Sequence, residues 1–203
     1  KNTELKHRNL TNICYAFIIM GLSLRIILQP LPFNVIRFLL PISAILEIIS
    51  ISLFAYIILS TVLSSKEKVG IFDKFFKAGI IWFLVCTGIN FGMMVHVYKH
   101  ATYEIPRAIF SPFVHLYLFG FVFMFIFAID IRTVFAFLDI KPVREKAVNL
   151  TFWVMNISVP IYFIAHMFAD RNIIALRVSQ FIAFPMAFAI ITFIYGLRVF
   201  ERS

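Results

Sequence analysis

Four of the five histidines in the chain are placed by the sequence toward one side of a membrane. His96 and His100 close the third long apolar run. His115 lies early in the fourth run, and His166 ends the fifth. Because each crossing reverses the direction of the chain, all four positions fall near the same membrane surface. Neutral imidazole is the commonest protein ligand of haem iron, copper and zinc, so these residues predict a haem or metal site there.

The elements that must position the histidines are six long apolar runs. They cover residues 12–30, 33–63, 78–98, 106–138, 148–167 and 173–200. At about 1.5 Å of helical rise per residue, each run can cross a hydrocarbon core of about 30 Å. A membrane β-barrel would instead show alternating segments of about ten residues.

The composition excludes an ordinary soluble domain. Hydrophobic residues make up 62% of the chain and the mean hydropathy is +0.94, against roughly 45–50% apolar residues in soluble proteins. The sequence therefore predicts an all-α, polytopic membrane bundle of six transmembrane helices, with residues 1–203 forming a single integral membrane domain.

The distribution of lysine and arginine predicts the orientation. Thirteen of the nineteen lie on the side that holds the N-terminus. The six others are Arg25, Arg37, Lys99, Arg107, Arg171 and Arg177. Because basic residues gather in cytoplasmic loops, we expect both termini to be cytoplasmic and the histidines to face outward, in a prokaryotic inner membrane. The net charge of +9 then reflects this asymmetry and contact with lipid headgroups, not nucleic-acid binding.

His115 is the deepest of the four histidines. It follows Arg107, at the predicted membrane boundary, by about 12 Å of helix. Both ring nitrogens of a buried imidazole need partners, so His115 either bonds a neighbouring carbonyl group or ligates a metal. We expect it to ligate a b-type haem, with His166 as the second ligand and His96 as the alternative, because one histidine on each of two antiparallel spans can bracket a flat macrocycle.

Copper is the alternative cofactor. Met93, His96 and His100 follow one another at spacings of three and four residues, so their side chains project from one helical stripe. Thioether and imidazole ligands suit copper. His100 lies closest to water and is also explained as a solvated residue at the membrane interface.

Charged residues inside the predicted spans also suggest function. Glu47, near the centre of the second run, has three readings: a protonated and inert carboxyl group, a proton relay, or a partner of a cation on another helix. Four arginines are candidates to bind haem propionates, because the guanidinium fork matches a carboxylate; snorkelling to lipid headgroups is the other reading. They are Arg25, Arg37, Arg107 and Arg177.

The fourth run carries a pattern with a family resemblance. His115 stands five residues before Gly120, the segment continues to Arg132, and an aromatic turn follows. This pattern, within residues 112–160, resembles that of the NnrS-like proteins. The resemblance implies a haem-containing, copper-associated membrane protein of nitric oxide metabolism, distantly similar to the main subunit of haem–copper oxidases. The chain departs from the family in having room for only six helices and in lacking a glycine before Arg132.

Together these features predict a membrane-integral b-type haem subunit. It would transfer electrons between a quinone pool and an external redox partner, with a link to nitrogen-oxide respiration implied by the resemblance. Haem b rather than haem c is expected because no CxxCH motif is present. Other membrane or peripheral redox subunits are the expected partners. The alternative is a non-redox anchor or scaffold subunit whose histidines form hydrogen bonds between helices. An enzyme acting alone is not expected, because no nucleophile, acid–base pair or catalytic loop is apparent.

Overall fold

The computed structural model describes residues 7–28, 37–64, 70–102, 104–137 and 143–198, and within these ranges the chain forms helices and turns without a strand. Six helical spans are long and apolar enough to cross a membrane: Arg8–Leu28, Leu39–Ser64, Ile71–His100, Arg107–Thr133, Glu145–Met167 and Ile173–Leu197. The prediction of an all-α chain with six such helices is confirmed. Four boundaries of the predicted apolar runs lie outside the described residues: Pro30, Phe33, Leu138 and Phe200.

Local irregularities divide the spans into nine helical segments within the described residues. They are α1 (Arg8–Leu28), α2 (Leu39–Ser64), α3 (Ile71–His100), α4 (Arg107–His115), the π-helical turn π1 (Leu116–Val122), α5 (Phe123–Phe137), α6 (Glu145–Met167), α7 (Ile173–Phe181) and α8 (Ala183–Leu197). Helix α3 begins at Ile71, earlier than the predicted start at Ala78. Asp73 lies in its first turn, and the Asp73 Oδ2 accepts a hydrogen bond from the Gly70 amide at 3.0 Å. This bond stabilises the start of the helix, which lies ahead of the apolar run.

The sixth span is interrupted at Ile182, between α7 and α8. Pro185 follows three residues later and has no amide hydrogen, so the carbonyl of Phe181 cannot receive its usual helical hydrogen bond. Pro185 therefore explains why the helix is interrupted at this point.

The chain packs as two compact units. The first comprises Lys1–Lys68 and Phe83–Pro106, and the second comprises Val69–Trp82 and Arg107–Ser203. Helix α3 thus contributes its first part to the second unit and its remainder to the first. His96 and His100 belong to the first unit, whereas His115 and His166 belong to the second. The single integral membrane domain stays a prediction.

In the first unit, α1 and α2 approach closely through small residues. A Cβ atom at Gly21 would stand 3.0 Å from the carbonyl oxygen of Ser43, so a larger residue would push the helices apart. One end of the same interface carries a reciprocal polar contact: Ser50 Oγ donates to the Cys14 carbonyl at 2.8 Å, and Cys14 Sγ donates to the Ser50 carbonyl at 3.3 Å. Small residues and short polar bonds of this kind hold helices together in lipid.

The core of the second unit is a cluster of four phenylalanine rings from four spans. Phe75 lies at its centre, with ring centroids 5.8 Å from Phe127, 5.2 Å from Phe152 and 6.1 Å from Phe193. Phe127 and Phe193 stack at 4.1 Å. Edge-to-face and offset contacts at these distances are favourable for aromatic rings, so this cluster joins α3, α5, α6 and α8.

Substitution of Phe75 by alanine is therefore expected to destabilise the second unit. Phe75 is fully buried, and the cavity left by its ring should lower the free energy of unfolding by about 3 kcal/mol. Phe188→Ala is the matched control: this ring is 53% exposed on the surface of α8, and its loss should cost less than about 0.5 kcal/mol. Denaturant unfolding in detergent measures both, and equal costs would contradict the assigned core.

Candidate functional site

Two of the predicted ligands, His115 and His166, lie on successive spans of the second unit and contact the same tyrosine. The Tyr162 ring centroid is 5.0 Å from that of His115 and 5.3 Å from that of His166. Helix α4 and π1 pack against α6, which brings the beginning of the fourth span beside the end of the fifth. The two histidines therefore lie near one another in this unit; that they face one membrane surface stays a prediction.

The hydrogen bond of His115 determines which of its nitrogens is available. Its Nδ1 lies 2.9 Å from the carbonyl oxygen of Ser111, one turn earlier on the same helix. A carbonyl oxygen only accepts, so Nδ1 must carry the hydrogen and donate. In the neutral ring Nε2 then keeps its lone pair. Metal-bound histidines commonly donate their other nitrogen to a backbone carbonyl in this way.

The π-helical turn π1 begins directly after His115. Such turns insert one residue into an α-helix and are frequent at functional sites. Here the turn presents Gly120 to the indole of Trp82, where a Cβ atom would stand 3.1 Å from the ring. Gly120 thus has a steric role in this chain, because a side chain there would require Trp82 to shift.

Trp82 is also held by a hydrogen bond to α6. Its Nε1 donates to Asn156 Oδ1 at 2.9 Å, and Asn156 Nδ2 donates to the Phe152 carbonyl at 2.8 Å. In a membrane, these bonds would satisfy polar groups that lipid cannot satisfy. They link α3 to α6 and hold the Trp82 indole against which Gly120 of π1 packs.

A ladder of aromatic rings runs along the fourth span from His115. Successive ring centroids lie 6.2 Å apart from His115 to Phe119, 5.0 Å from Phe119 to Phe123 and 5.6 Å from Phe123 to Phe127. The four residues are spaced by four, so they occupy one face of the helix. The ladder connects the His115 site to the phenylalanine core and gives the His115 site apolar surroundings.

In the first unit, His96 and His100 form a pair of their own. Their ring centroids are 4.3 Å apart on the last turns of α3. His96 is half-buried and His100 is exposed; that His100 lies nearest to water stays a prediction. Met93, the third residue of the predicted stripe, is buried in the packing of the unit.

Glu47 has a cationic partner on another helix, the third of the readings that the sequence left open. Its Oε1 lies 2.9 Å from Arg25 Nη2, an ion-pair distance whose angles fall outside hydrogen-bond geometry. Its Oε2 accepts a hydrogen bond from Asn90 Nδ2 at 3.0 Å. Arg25 Nη1 reaches Asn90 Oδ1 at 3.5 Å. The three side chains therefore close a ring of polar contacts that links α1, α2 and α3; we call it the polar triad.

The four arginines predicted to bind propionates occupy different settings. Arg25 belongs to the polar triad, and Arg37 lies with its guanidinium carbon 5.8 Å from the ring centroid of Tyr98, both in the first unit. Arg107 opens α4 and Arg177 lies on α7; both are exposed in the second unit, as suits contact with an anionic group at the membrane surface. The propionate role of all four stays a prediction.

Sequence reasoning missed three polar residues that the structure places at these sites: Tyr162, Asn90 and Asn156. Each stands alone among apolar neighbours within a predicted span. An isolated polar side chain in a membrane helix needs a partner, and that signal was present for all three. Which partner each one finds depends on the packing of helices far apart in the chain.

Among the described residues, no group of three or more His, Cys, Asp or Glu side chains could hold a metal ion. Comparison with known proteins finds no matching family model, no matching curated protein and no matching solved structure. The resemblance to the NnrS-like proteins stays a prediction, and function must be argued from the sites themselves.

Proposed function

We propose that the chain is a membrane-integral subunit that binds a b-type haem through His115 and His166 and transfers electrons. The observation that carries this proposal is the hydrogen bond from His115 Nδ1 to the Ser111 carbonyl. It leaves Nε2 as the nitrogen with a free lone pair, the state required of an axial ligand.

Several residues around His115 support the proposal. His166, on the adjacent span, offers a second imidazole next to the same tyrosine ring. Leu116 is buried and Phe119 stacks beside the histidine, which gives the apolar surroundings that a macrocycle prefers. Arg107 and Arg177 are proposed to meet its carboxylates at the membrane surface. When bound, the haem would supply a one-electron iron couple.

We also propose a membrane location and redox partners for the chain. The chain would lie in a prokaryotic inner membrane with cytoplasmic termini and with the His115 end outward, as the lysine and arginine distribution suggests. It would exchange electrons between a quinone pool and an external redox protein, together with other membrane or peripheral subunits. The family resemblance adds a link to nitrogen-oxide respiration.

A second candidate is a non-redox anchor or scaffold subunit. The polar triad favours it, because both oxygens of Glu47 are engaged by residues of the same chain. Such a closed network suits a structural role better than proton transfer. In this reading the bond from His115 to Ser111 only satisfies a buried ring.

The two candidates are separated by the cofactor content of the purified protein. The chain, or its complex, is expected to show a b-type spectrum in the pyridine haemochrome assay and a reversible change between oxidised and dithionite-reduced forms. A folded preparation from haem-replete cells, monodisperse and helical by circular dichroism, that contains no haem would overturn the haem proposal and favour the scaffold.

A further inference from the structure

Two exposed basic side chains of the second unit contact neighbouring spans at the start of α3. Lys74 Nζ donates a hydrogen bond to Asn149 Oδ1 of α6 at 3.0 Å. The guanidinium carbon of Arg132, on α5, lies 5.8 Å from the ring centroid of Phe72. Both cations therefore adjoin the first turn of α3, at the end of the fourth span opposite to His115.

A third basic residue lies where α6 begins and α8 ends. The guanidinium carbon of Arg144 is 3.9 Å from the ring centroid of Tyr195, and the Arg144 amide donates to the Gly196 carbonyl at 2.9 Å. A cation over an aromatic ring is attracted by the ring quadrupole. Asn149, the partner of Lys74, is little more than one helical turn further along the chain. Arg144 therefore lies at the same end of the unit as Lys74, and we call Lys74, Arg132 and Arg144 the basic cluster.

Positive charge exceeds negative charge at this end of the second unit. Among the described residues, Lys77, Lys146 and Arg198 add to the basic cluster, and the acidic residues are Asp73, Asp130 and Glu145. Asp73 is buried and accepts its hydrogen bond from the Gly70 amide, so its charge is directed into the protein. Glu145 is exposed and opposes an anion, but the exposed Lys146 follows it directly. The surface around the basic cluster therefore attracts anions.

An exposed apolar surface adjoins the basic cluster on α8. Tyr195, which contacts Arg144, is 59% exposed, and Ile191 is 66% exposed. These two residues are four apart, so they lie on one face of the helix. Tyrosine is enriched at the level of the lipid headgroups because its ring is apolar and its hydroxyl is polar. A phospholipid offers an anionic group for the cations and acyl chains for this face, whereas a free phosphate ion offers only the anion.

We infer that the basic cluster binds the phosphate group of an anionic phospholipid, whose acyl chains contact Tyr195 and Ile191. Basic sites between membrane helices on the cytoplasmic side bind anionic headgroups. The Lys74 ammonium carries three hydrogens, and its bond to Asn149 uses one of them. Arg132 is exposed, and its guanidinium fork matches a phosphate. The inference rests on the proposed membrane location of the chain and is independent of the proposed haem.

Native mass spectrometry of the full-length protein in detergent tests this inference with two phospholipids that have identical acyl chains. Phosphatidylglycerol is anionic and should bind about tenfold or more tightly than zwitterionic phosphatidylcholine, since each basic residue near an anionic headgroup contributes about fivefold. Lys74→Gln/Arg132→Gln should lose this preference. Both side chains are exposed, so the double variant keeps its core. Lys74→Arg retains the charge and should retain the preference.

Arg171→Gln is the matched control, because it removes an exposed arginine from the turn between α6 and α7, at the other end of the unit. It should leave the preference unchanged. An equal preference in Lys74→Gln/Arg132→Gln and the wild type, no preference in the wild type, or an equal loss in Arg171→Gln would each overturn the inference. Displacement of phosphatidylglycerol by inorganic phosphate would also overturn it, by assigning the cluster to a soluble anion. A haem-free protein that keeps the preference would contradict the proposed function alone.

Discussion

His115→Ala is expected to abolish haem binding by the purified protein. One axial bond would be lost in apolar surroundings, where Leu116 is buried and Phe119 stacks on the ring, and water is a poor substitute there. The haem-to-protein ratio should fall about tenfold or more. Absorption of the reduced protein measures the loss, with protein concentration determined independently.

Three control experiments test whether the loss of haem is due to the loss of an iron ligand. His100→Ala, an exposed histidine of the other unit, should leave the spectrum nearly unchanged. Imidazole added to His115→Ala during haem loading should restore a b-type spectrum, because it can occupy the space left by the side chain. Tyr162→Phe keeps the ring that contacts both histidines and should retain haem. If His115→Ala kept a full and unshifted six-coordinate spectrum, His115 would be a packing residue only.

Breaking the polar triad from one side is expected to destabilise the first unit strongly. In Glu47→Leu, the Arg25 guanidinium would stay in its partly buried position without a counter-charge. Removal of one partner from a buried ion pair typically costs about 3–5 kcal/mol. Asn90→Leu should cost less, about 1–3 kcal/mol, because it removes one hydrogen bond from a carboxylate that keeps its cation.

A double-mutant cycle distinguishes this ion pair from independent contributions of its members. Arg25→Leu/Glu47→Leu removes both charges at once and should be at least as stable as either single variant, approaching the wild type to within about 1 kcal/mol. Glu145→Ala, an exposed carboxylate in the first turn of α6, is the control and should change stability by less than about 0.5 kcal/mol. Additive costs in the double variant would show that the two charges do not interact.

The helical fold class and the number of helices long and apolar enough to cross a membrane followed from the sequence, because lipid imposes a simple condition. A helix that crosses it must be apolar over about twenty residues, and that property can be read from each segment separately. The interruption between α7 and α8 was not predicted, although Pro185 accounts for it, because a proline alone does not locate a break: Pro160 lies inside the continuous helix α6. The chemical character of the candidate residues, imidazoles near the ends of apolar runs and a carboxylate within one, was apparent before any packing was known.

The sequence alone determined the six apolar helices and the residues able to do chemistry within them, and only the tertiary structure decided which of those residues meet. The sequence left Glu47 with three readings; the packing of α1 and α3 beside α2 selected its pairing with Arg25 and Asn90. The sequence predicted haem ligation by His115, with a hydrogen bond to a carbonyl group as the alternative; the structure adds the Ser111 carbonyl and the Tyr162 ring as its neighbours, and the ligand role stays a prediction. The physical reason is that hydropathy is a property of single segments, whereas a hydrogen bond needs two groups at about 3 Å in the right orientation, and that distance is set by helices remote in the chain.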